Sequence, residues 1–97
     1  MIWSVIIVAK GMWSVTKTCL ETLLSTTPGQ TLDIIYVDNG TPSNEDSWEQ
    51  SVKWSWETHK CQILKFDAAV CLARAWNAGF KMTYAQYHPD GRVLILN

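Results

Sequence analysis

Four short runs of apolar residues constrain the fold of this 97-residue chain more than any other feature. They are rich in valine, isoleucine and leucine. The first run, residues 4–8, has no polar alternation, which is typical of a strand that is buried on both faces, as in a parallel sheet. The four predicted strands are residues 4–8, 32–37, 62–66 and 92–96.

The first two strands are separated by a segment with helical spacing of its apolar residues. Residues 12–26 predict a first helix, and Pro28 and Gly29 are expected to end it. The predicted apolar face of this helix consists of Met12, Val15, Cys19, Leu20, Leu23 and Leu24.

A second helix is predicted between the second and third strands. Ser43 and Asp46 resemble a capping box that opens it. Its tryptophans do not all fall on one face, since Trp54 lies off the stripe that the other two form. The stripe expected to pack against the sheet consists of Trp48, Val52 and Trp56.

A third helix completes an alternating β-α-β-α-β-α-β order. Asp67 is expected to cap it, and Pro89 lies in the turn that follows it. The predicted apolar or small residues of this helix are Ala69, Leu72, Ala73, Trp76, Phe80, Thr83, Tyr84 and Tyr87. The order predicts an α/β fold, a Rossmann-like three-layer sandwich with a mostly parallel sheet of about four strands, as one domain over residues 1–97.

Composition limits the classes of partner and the cellular compartment that we expect for this chain. Eight Lys and Arg residues against nine Asp and Glu residues give a net charge of -1, without a basic stripe, which disfavours nucleic acid as a partner. Cys19, Cys61 and Cys71 form no C-x-x-C pair, so we expect free thiols in the reducing cytoplasm. The apolar run near the N-terminus is too short to span a membrane, and no basic region precedes it.

Ligands of open α/β sheets bind beyond the carboxyl ends of the strands. Residues 9–11, 38–41 and 67–70 are expected to lie there. Asp38 directly follows a buried strand, and its carboxylate can accept a hydrogen bond from a base N–H or a ribose hydroxyl. The alternative is an ordinary turn, because Asp-Asn-Gly is common turn sequence. No G-x-G-x-x-G, no P-loop and no persuasive Ser/His/Asp or Cys/His arrangement is present, and His59 and His88 are interpreted as surface residues.

Four motifs in order resemble family 2 glycosyltransferases of the GT-A fold. Residues 4–8 and 34–41 resemble the first strand of that family and its V-D-N-G-S or V-D-D-G-S turn. Residues 73–80 resemble its A-x-x-x-N-x-G-[IF] helix, and residues 93–97 resemble the strand that leads into its D-x-D metal motif. The resemblance covers essentially the whole chain and implies the N-terminal, nucleotide-binding part of a GT-A domain.

The resemblance also implies roles for single residues. Asp38 matches the family aspartate that contacts the nucleobase or ribose, and Asn97 matches the first position of the metal motif. Lys10 stands where the family commonly has an aromatic residue, and a lysine there could instead meet a phosphate. The nucleotide-binding residues implied in this way are Val8, Ala9, Lys10, Asp38, Asn39, Arg74 and Asn77.

The activity implied is inverting transfer of a sugar from a nucleotide-diphosphate sugar, UDP- or dTDP-linked, to an acceptor. A divalent metal, Mn²⁺ or Mg²⁺, is expected only for a full-length relative, because the metal carboxylate, the acceptor site and the catalytic base would follow Asn97. We therefore expect the chain by itself to be inactive, with no catalytic residue among its 97.

Two alternatives stay open at the level of sequence. One is a non-catalytic nucleotide-binding module, and the other is an oligomeric α/β interaction module. A receiver-like domain is disfavoured, because Lys10 stands where that fold needs acidic residues after the first strand. Apolar surface left at the edge of a partial sheet suggests a homo-oligomer.

Overall fold

A computed structural model describes residues 2–27, 31–58, 60–88 and 90–96. Its elements follow the predicted order: β1 (Ile2–Ala9), α1 (Trp13–Thr26), β2 (Thr31–Asn39), α2 (Ser47–Thr58), β3 (Cys61–Phe66), α3 (Leu72–Phe80), a short 3-10 helix (Tyr84–Tyr87) and β4 (Arg92–Leu96). The predicted end of the first helix at Pro28 and Gly29, the turn at Pro89, and His59 and Asn97 lie outside the described residues.

The four strands form one parallel sheet in the order β3-β2-β1-β4. Ile6 in the centre of β1 pairs with Ile35 of β2 on one side and with Ile95 of β4 on the other. The chain therefore moves outward from β1 to β3 and then crosses to the other side of β1. This reversal of strand order creates a switch point between β1 and β4, as in doubly wound sheets.

Alternate residues of β1 and β2 feed two separate core clusters, because successive side chains of a strand point to opposite faces. On one face, Val5, Ile7, Ile34 and Tyr36 pack against α1 and α2. On the other face, the cluster around α3 contains Ile6, Val8, Ile35, Val37 and Ala75. The predicted three-layer α/β sandwich is confirmed.

The predicted face of α1 is only half right. Leu20 is buried, and Leu23 and Leu24 pack against the core. Met12 and Val15, by contrast, are 70% and 59% exposed, and Cys19 is exposed. Trp13 and Thr16 take the buried positions instead.

The predicted face of α2 is wrong at Trp56, although Trp48 of that face packs against the core. Trp54 is buried and its ring meets that of Trp13 edge-on, with 5.7 Å between centroids, whereas Trp56 is 73% exposed. The buried stripe consists of Ser47, Ser51 and Trp54, so small hydroxyl side chains let the helix approach its neighbours closely. The helix also begins at Ser47, later than the predicted capping box.

The third helix is shorter than predicted. It begins at Leu72 rather than near Asp67 and ends at Phe80, and the predicted continuation forms the separate 3-10 helix. The Asn39 side chain bonds both backbone groups of Val70, which prevents them from joining a helical ladder. Asp33 of β2 accepts a hydrogen bond from the Tyr84 backbone N–H at 2.7 Å, which fixes the 3-10 helix to the sheet.

Candidate functional site

Three loops meet at the carboxyl edge of the sheet. The β1–α1 loop turns sharply, because Gly11 and Met12 both have left-handed backbone angles, with φ of 70° and 53°. Glycine adopts such angles at little cost, whereas methionine does so rarely. The turn directs the Gly11 N–H toward Thr41, in the loop that follows β2, and the Trp13 N–H toward Ser47 at the start of α2.

Asp38 connects the first two loops. Its carboxylate is fully buried, and Oδ1 accepts a hydrogen bond of 2.7 Å from the Thr41 backbone N–H. The Thr41 hydroxyl in turn accepts a bond of 2.7 Å from the Gly11 N–H. Asp38 Oδ2 is also buried but has no partner among the described residues. A buried carboxylate oxygen without a donor is costly, so this atom is the one polar feature of the edge that calls for a ligand or a solvent molecule.

A side-chain clamp holds the third loop. The Asn39 amide donates to the Val70 carbonyl at 3.0 Å and accepts from the Val70 N–H at 2.9 Å. Gly40 has φ of 84°, and a Cβ there would overlap the backbone nitrogen of Ala69. The β2 loop therefore requires glycine at position 40 for two reasons, its backbone angle and the close approach of the β3–α3 loop.

The starts of α1 and α2 are joined by a further hydroxyl. Ser47 Oγ accepts a hydrogen bond of 3.2 Å from the Trp13 N–H, so a residue of α2 caps α1. The Glu45 carboxylate lies against Gly11, where any added Cβ would meet it. The segment from Thr41 to Ser47 thus contacts Asp38 through Thr41 and touches the β1–α1 loop.

Two other groups near this edge bear on its chemistry, the Tyr36 hydroxyl and the Lys65 ammonium. Burial raises the pKa of the Tyr36 hydroxyl above its ordinary value, and the negative charge of Asp38 raises it further. The Lys65 ammonium lies 3.4 Å from the Thr41 carbonyl and 5.9 Å from the centre of the Trp48 ring, which places a cation beside the β2 loop.

The structure distributes the predicted nucleotide-binding residues over two faces of the sheet. Ala9 and Lys10 line a depression of about 260 Å³ beside α1, together with the buried Val8, and Lys10 is the charged residue in its lining. Asp38 follows Tyr36 by two positions, so its side chain points to the α1 and α2 face, whereas Asn39 points to α3. Arg74 and Asn77 line a different groove, between α3 and β3.

Sequence reasoning missed the residues that assemble this edge. Thr41 links Asp38 to Gly11, and Ser47 links the two helix starts, but neither was predicted as a site residue. A threonine directly after a D-N-G turn was the available signal, because a Thr hydroxyl can accept a hydrogen bond from a neighbouring loop.

Comparison with the sequence models of known families shows which family this chain belongs to. The sequence model of glycosyl transferase family 2 matches residues 4–88, which include both motif-bearing loops and α3. The chain belongs to glycosyl transferase family 2. A search of curated proteins found no match for this family 2 chain.

Two further observations concern the described part of this family 2 chain. Its helices, over residues 2–27, 31–58, 60–88 and 90–96, are all too short or too polar to cross a membrane. Within the same ranges, no three His, Cys, Asp or Glu side chains come together as metal ligands. The metal position implied at Asn97 lies outside the described residues.

Proposed function

We propose that this domain binds the nucleotide part of a nucleotide-diphosphate sugar at the carboxyl edge of its sheet, and that it serves an inverting glycosyltransferase. Membership of family 2 supports a sugar-nucleotide donor in general. The observation that supports this particular position is the buried Asp38 Oδ2, an acceptor that has no donor among the described residues. The N3–H of a uracil or thymine base would supply that donor, which suits a UDP- or dTDP-linked sugar.

Access to Asp38 requires a local movement. The carboxylate is fully buried and bonded to Thr41, which begins the segment that runs to Ser47, and Glu45 of this segment rests on Gly11. We propose that the segment shifts when nucleotide enters, while the bond from the Thr41 N–H to Oδ1 holds the carboxylate in place. Lys10, exposed in the neighbouring depression, would then face the diphosphate as a point charge.

The reaction itself is also part of the proposal. An acceptor hydroxyl would displace the nucleotide diphosphate directly at the anomeric carbon, with inversion, and a divalent cation would stabilise the leaving group. Contacts from Arg74 and Asn77 to the nucleotide, and from Asn97 to the metal, stay predictions of the family resemblance. Inactivity of the 97 residues by themselves also stays a prediction, checked by assaying UDP release from UDP-sugars with Mn²⁺.

A reducing compartment fits the cysteines of this chain. Cys19, Cys61 and Cys71 are all free thiols, and two of them are exposed. Exposed free thiols persist where glutathione and thioredoxin keep them reduced. We therefore propose the cytoplasm as the location of this domain.

Calorimetric titration with UDP tests the nucleotide site. Asp38→Asn is the informative variant, because its amide oxygen can keep the bond from the Thr41 N–H while its NH₂ group replaces the accepting Oδ2. We expect UDP to bind the wild type, and the variant to bind at least about tenfold more weakly, as for loss of a hydrogen bond to a charged group. Asp90→Asn, an exposed change at the opposite edge, is the matched control.

Two results would count against the site. If no heat of binding is measured at millimolar UDP, the proposal that these residues bind the nucleotide is wrong. Equal affinities of wild type and Asp38→Asn would leave nucleotide binding intact but would remove Asp38 from it.

A further inference from the structure

A second concave surface lies on the α3 face of the sheet, away from the Asp38 side chain. It has a volume of about 650 Å³ and runs between α3 and the edge strand β3. We call it the β3 groove. Its lining residues are Leu64, Phe66, Cys71, Ala73, Arg74, Asn77, Ala78, Lys81 and Met82.

The charges of the β3 groove have one sign. Arg74 and Lys81 are both exposed and stand seven residues apart on one stripe of the helix and its cap, about 10 Å along the axis. Asn77 lies between them, and the lining contains no aspartate or glutamate. The floor between the two cations is apolar, with Leu64, Phe66 and Met82 only half-buried. This pattern complements a partner with acidic groups on either side of an apolar centre.

The strand beside the groove is available for pairing. β3 pairs with β2 on one side, and the sheet order places it at an edge. Alternate backbone N–H and C=O groups of an edge strand point away from the sheet and offer a template for another strand. A partner that lies along β3 can therefore use the backbone for affinity and the groove for side-chain selection.

We propose that the β3 groove binds an extended peptide segment of a partner protein, with apolar side chains flanked by acidic ones, as an additional strand on β3. A small anionic amphiphile would match the cations and the floor but would leave the strand edge unused. The proposal does not rest on the site at Asp38, whose side chain lies on the other face of the sheet. Arg74 and Asn77 line the groove and are also predicted to contact the nucleotide, so the test varies Lys81 instead.

The test uses a capped synthetic peptide of about nine residues. Valine occupies the central position and glutamate the positions two residues before and two residues after it, so that about 13 Å of extended chain separates the two glutamates. Binding is followed by fluorescence anisotropy and by amide shifts of the ¹⁵N-labelled 97-residue chain. We expect shifts in β3 and α3, and at least fivefold weaker binding by Lys81→Glu. Lys17→Glu, an exposed change on α1, should bind like the wild type.

Control ligands separate this proposal from its alternatives. The same peptide with lysine in place of glutamate, or with N-methylated backbone at alternate residues, should lose binding. No binding of the glutamate peptide at millimolar concentration would overturn the proposal. Unchanged binding of the peptide to Lys81→Glu, or unchanged binding of the methylated peptide to the wild type, would also overturn it. The same holds if laurate shifts the amide signals of the groove and the peptide does not.

Discussion

Three buried polar atoms have no hydrogen-bond partner among the described residues, and we interpret two of them differently. They are Tyr36 Oη, Asp38 Oδ2 and Trp76 Nε1. The Tyr36 hydroxyl is enclosed by the core between the sheet, α1 and α2, and the Trp13 ring lies edge-on at 5.2 Å. The Asp38 oxygen lies at the carboxyl edge, where we propose that a ligand reaches it once the segment from Thr41 to Ser47 moves. We therefore interpret the Tyr36 hydroxyl as a group that destabilises the fold and the Asp38 carboxylate as a group that binds a ligand.

Removal of the Tyr36 hydroxyl should not destabilise the fold. Tyr36→Phe keeps the ring contacts and deletes a buried group without a partner, so we expect the free energy of unfolding to stay unchanged or rise by about 1 kcal/mol. Urea denaturation measures it, with the exposed Tyr87→Phe as control. A loss of about 2 kcal/mol or more would show that the hydroxyl has a stabilising partner.

Cys61 should be the least reactive of the three thiols. Burial raises its pKa to about 12, the Asp33 charge adds to the increase, and a hydrogen bond from the Tyr36 backbone only partly offsets it. Because the thiolate is the reactive form, iodoacetamide at pH 8 should modify the exposed Cys19 and Cys71 well before Cys61. Peptide mass mapping over time checks the order. Equal modification rates of the three cysteines would contradict the burial of Cys61.

The pKa of Cys61 also predicts a pH dependence of stability. Since the folded state holds the Cys61 proton more tightly than the unfolded state does, the free energy of unfolding should fall as the pH rises above about 9.

Sequence could identify Asp38 as a candidate but not its surroundings. Its position after a buried strand follows from the pattern, and the structure confirms that it lies at the end of β2. The bond from the Thr41 N–H to Asp38 spans only three residues, but the bond from the Gly11 N–H to the Thr41 hydroxyl joins residues 30 apart, so no local pattern contains it. The same reason explains why Asn39 was not predicted to hold the β3–α3 loop.

At the scale of elements, the number, type and order of strands and helices were predictable, but helix faces and starts were not. The central residues of β1 and β2 are continuous apolar runs, and their burial on both faces leaves no choice of side. In α2, tryptophans at positions 48, 54 and 56 point in several directions, so apolarity alone cannot select one. Contact with Trp13 and the small serines selects the Trp54 face.

Substitution of the two α2 tryptophans tests this choice. Trp54→Ala should cost about 3–5 kcal/mol, because it leaves a cavity beside Trp13. Trp56→Ala should change stability by no more than about 0.5 kcal/mol, since that side chain is exposed. Both are measured by urea denaturation, and each is the control for the other. Equal costs, or a larger cost at Trp56, would restore the face predicted from sequence.

At the scale of the whole molecule, the sheet is covered unevenly. β1 and β2 are buried on both faces, whereas Val93, Leu94 and Ile95 of β4 are 37%, 36% and 46% exposed. A parallel strand is normally covered on both faces, so β4 presents apolar surface and an open edge. This surface is the physical basis for the homo-oligomer that we propose.

Self-association through β4 has a direct test. Sedimentation velocity should show a dimer or larger species at high concentration, and Ile95→Lys should shift it toward monomer, because a buried lysine at the interface is unfavourable. Trp56→Lys, at an exposed site on α2, is the control and should not change the distribution. A clean monomer of the wild type at high concentration would rule out the homo-oligomer.

The central claim is that the carboxyl edge of this sheet receives a nucleotide, and amide shifts during a UDP titration test it most directly. We expect the ¹⁵N-labelled chain to shift at residues 9–11 and 38–41, with smaller changes over residues 42–47, while Asp33 and Tyr84 at the other edge stay unchanged. Asp38→Asn should greatly reduce these shifts. Absence of shifts at millimolar UDP, or shifts confined to residues away from the carboxyl edge, would contradict the account.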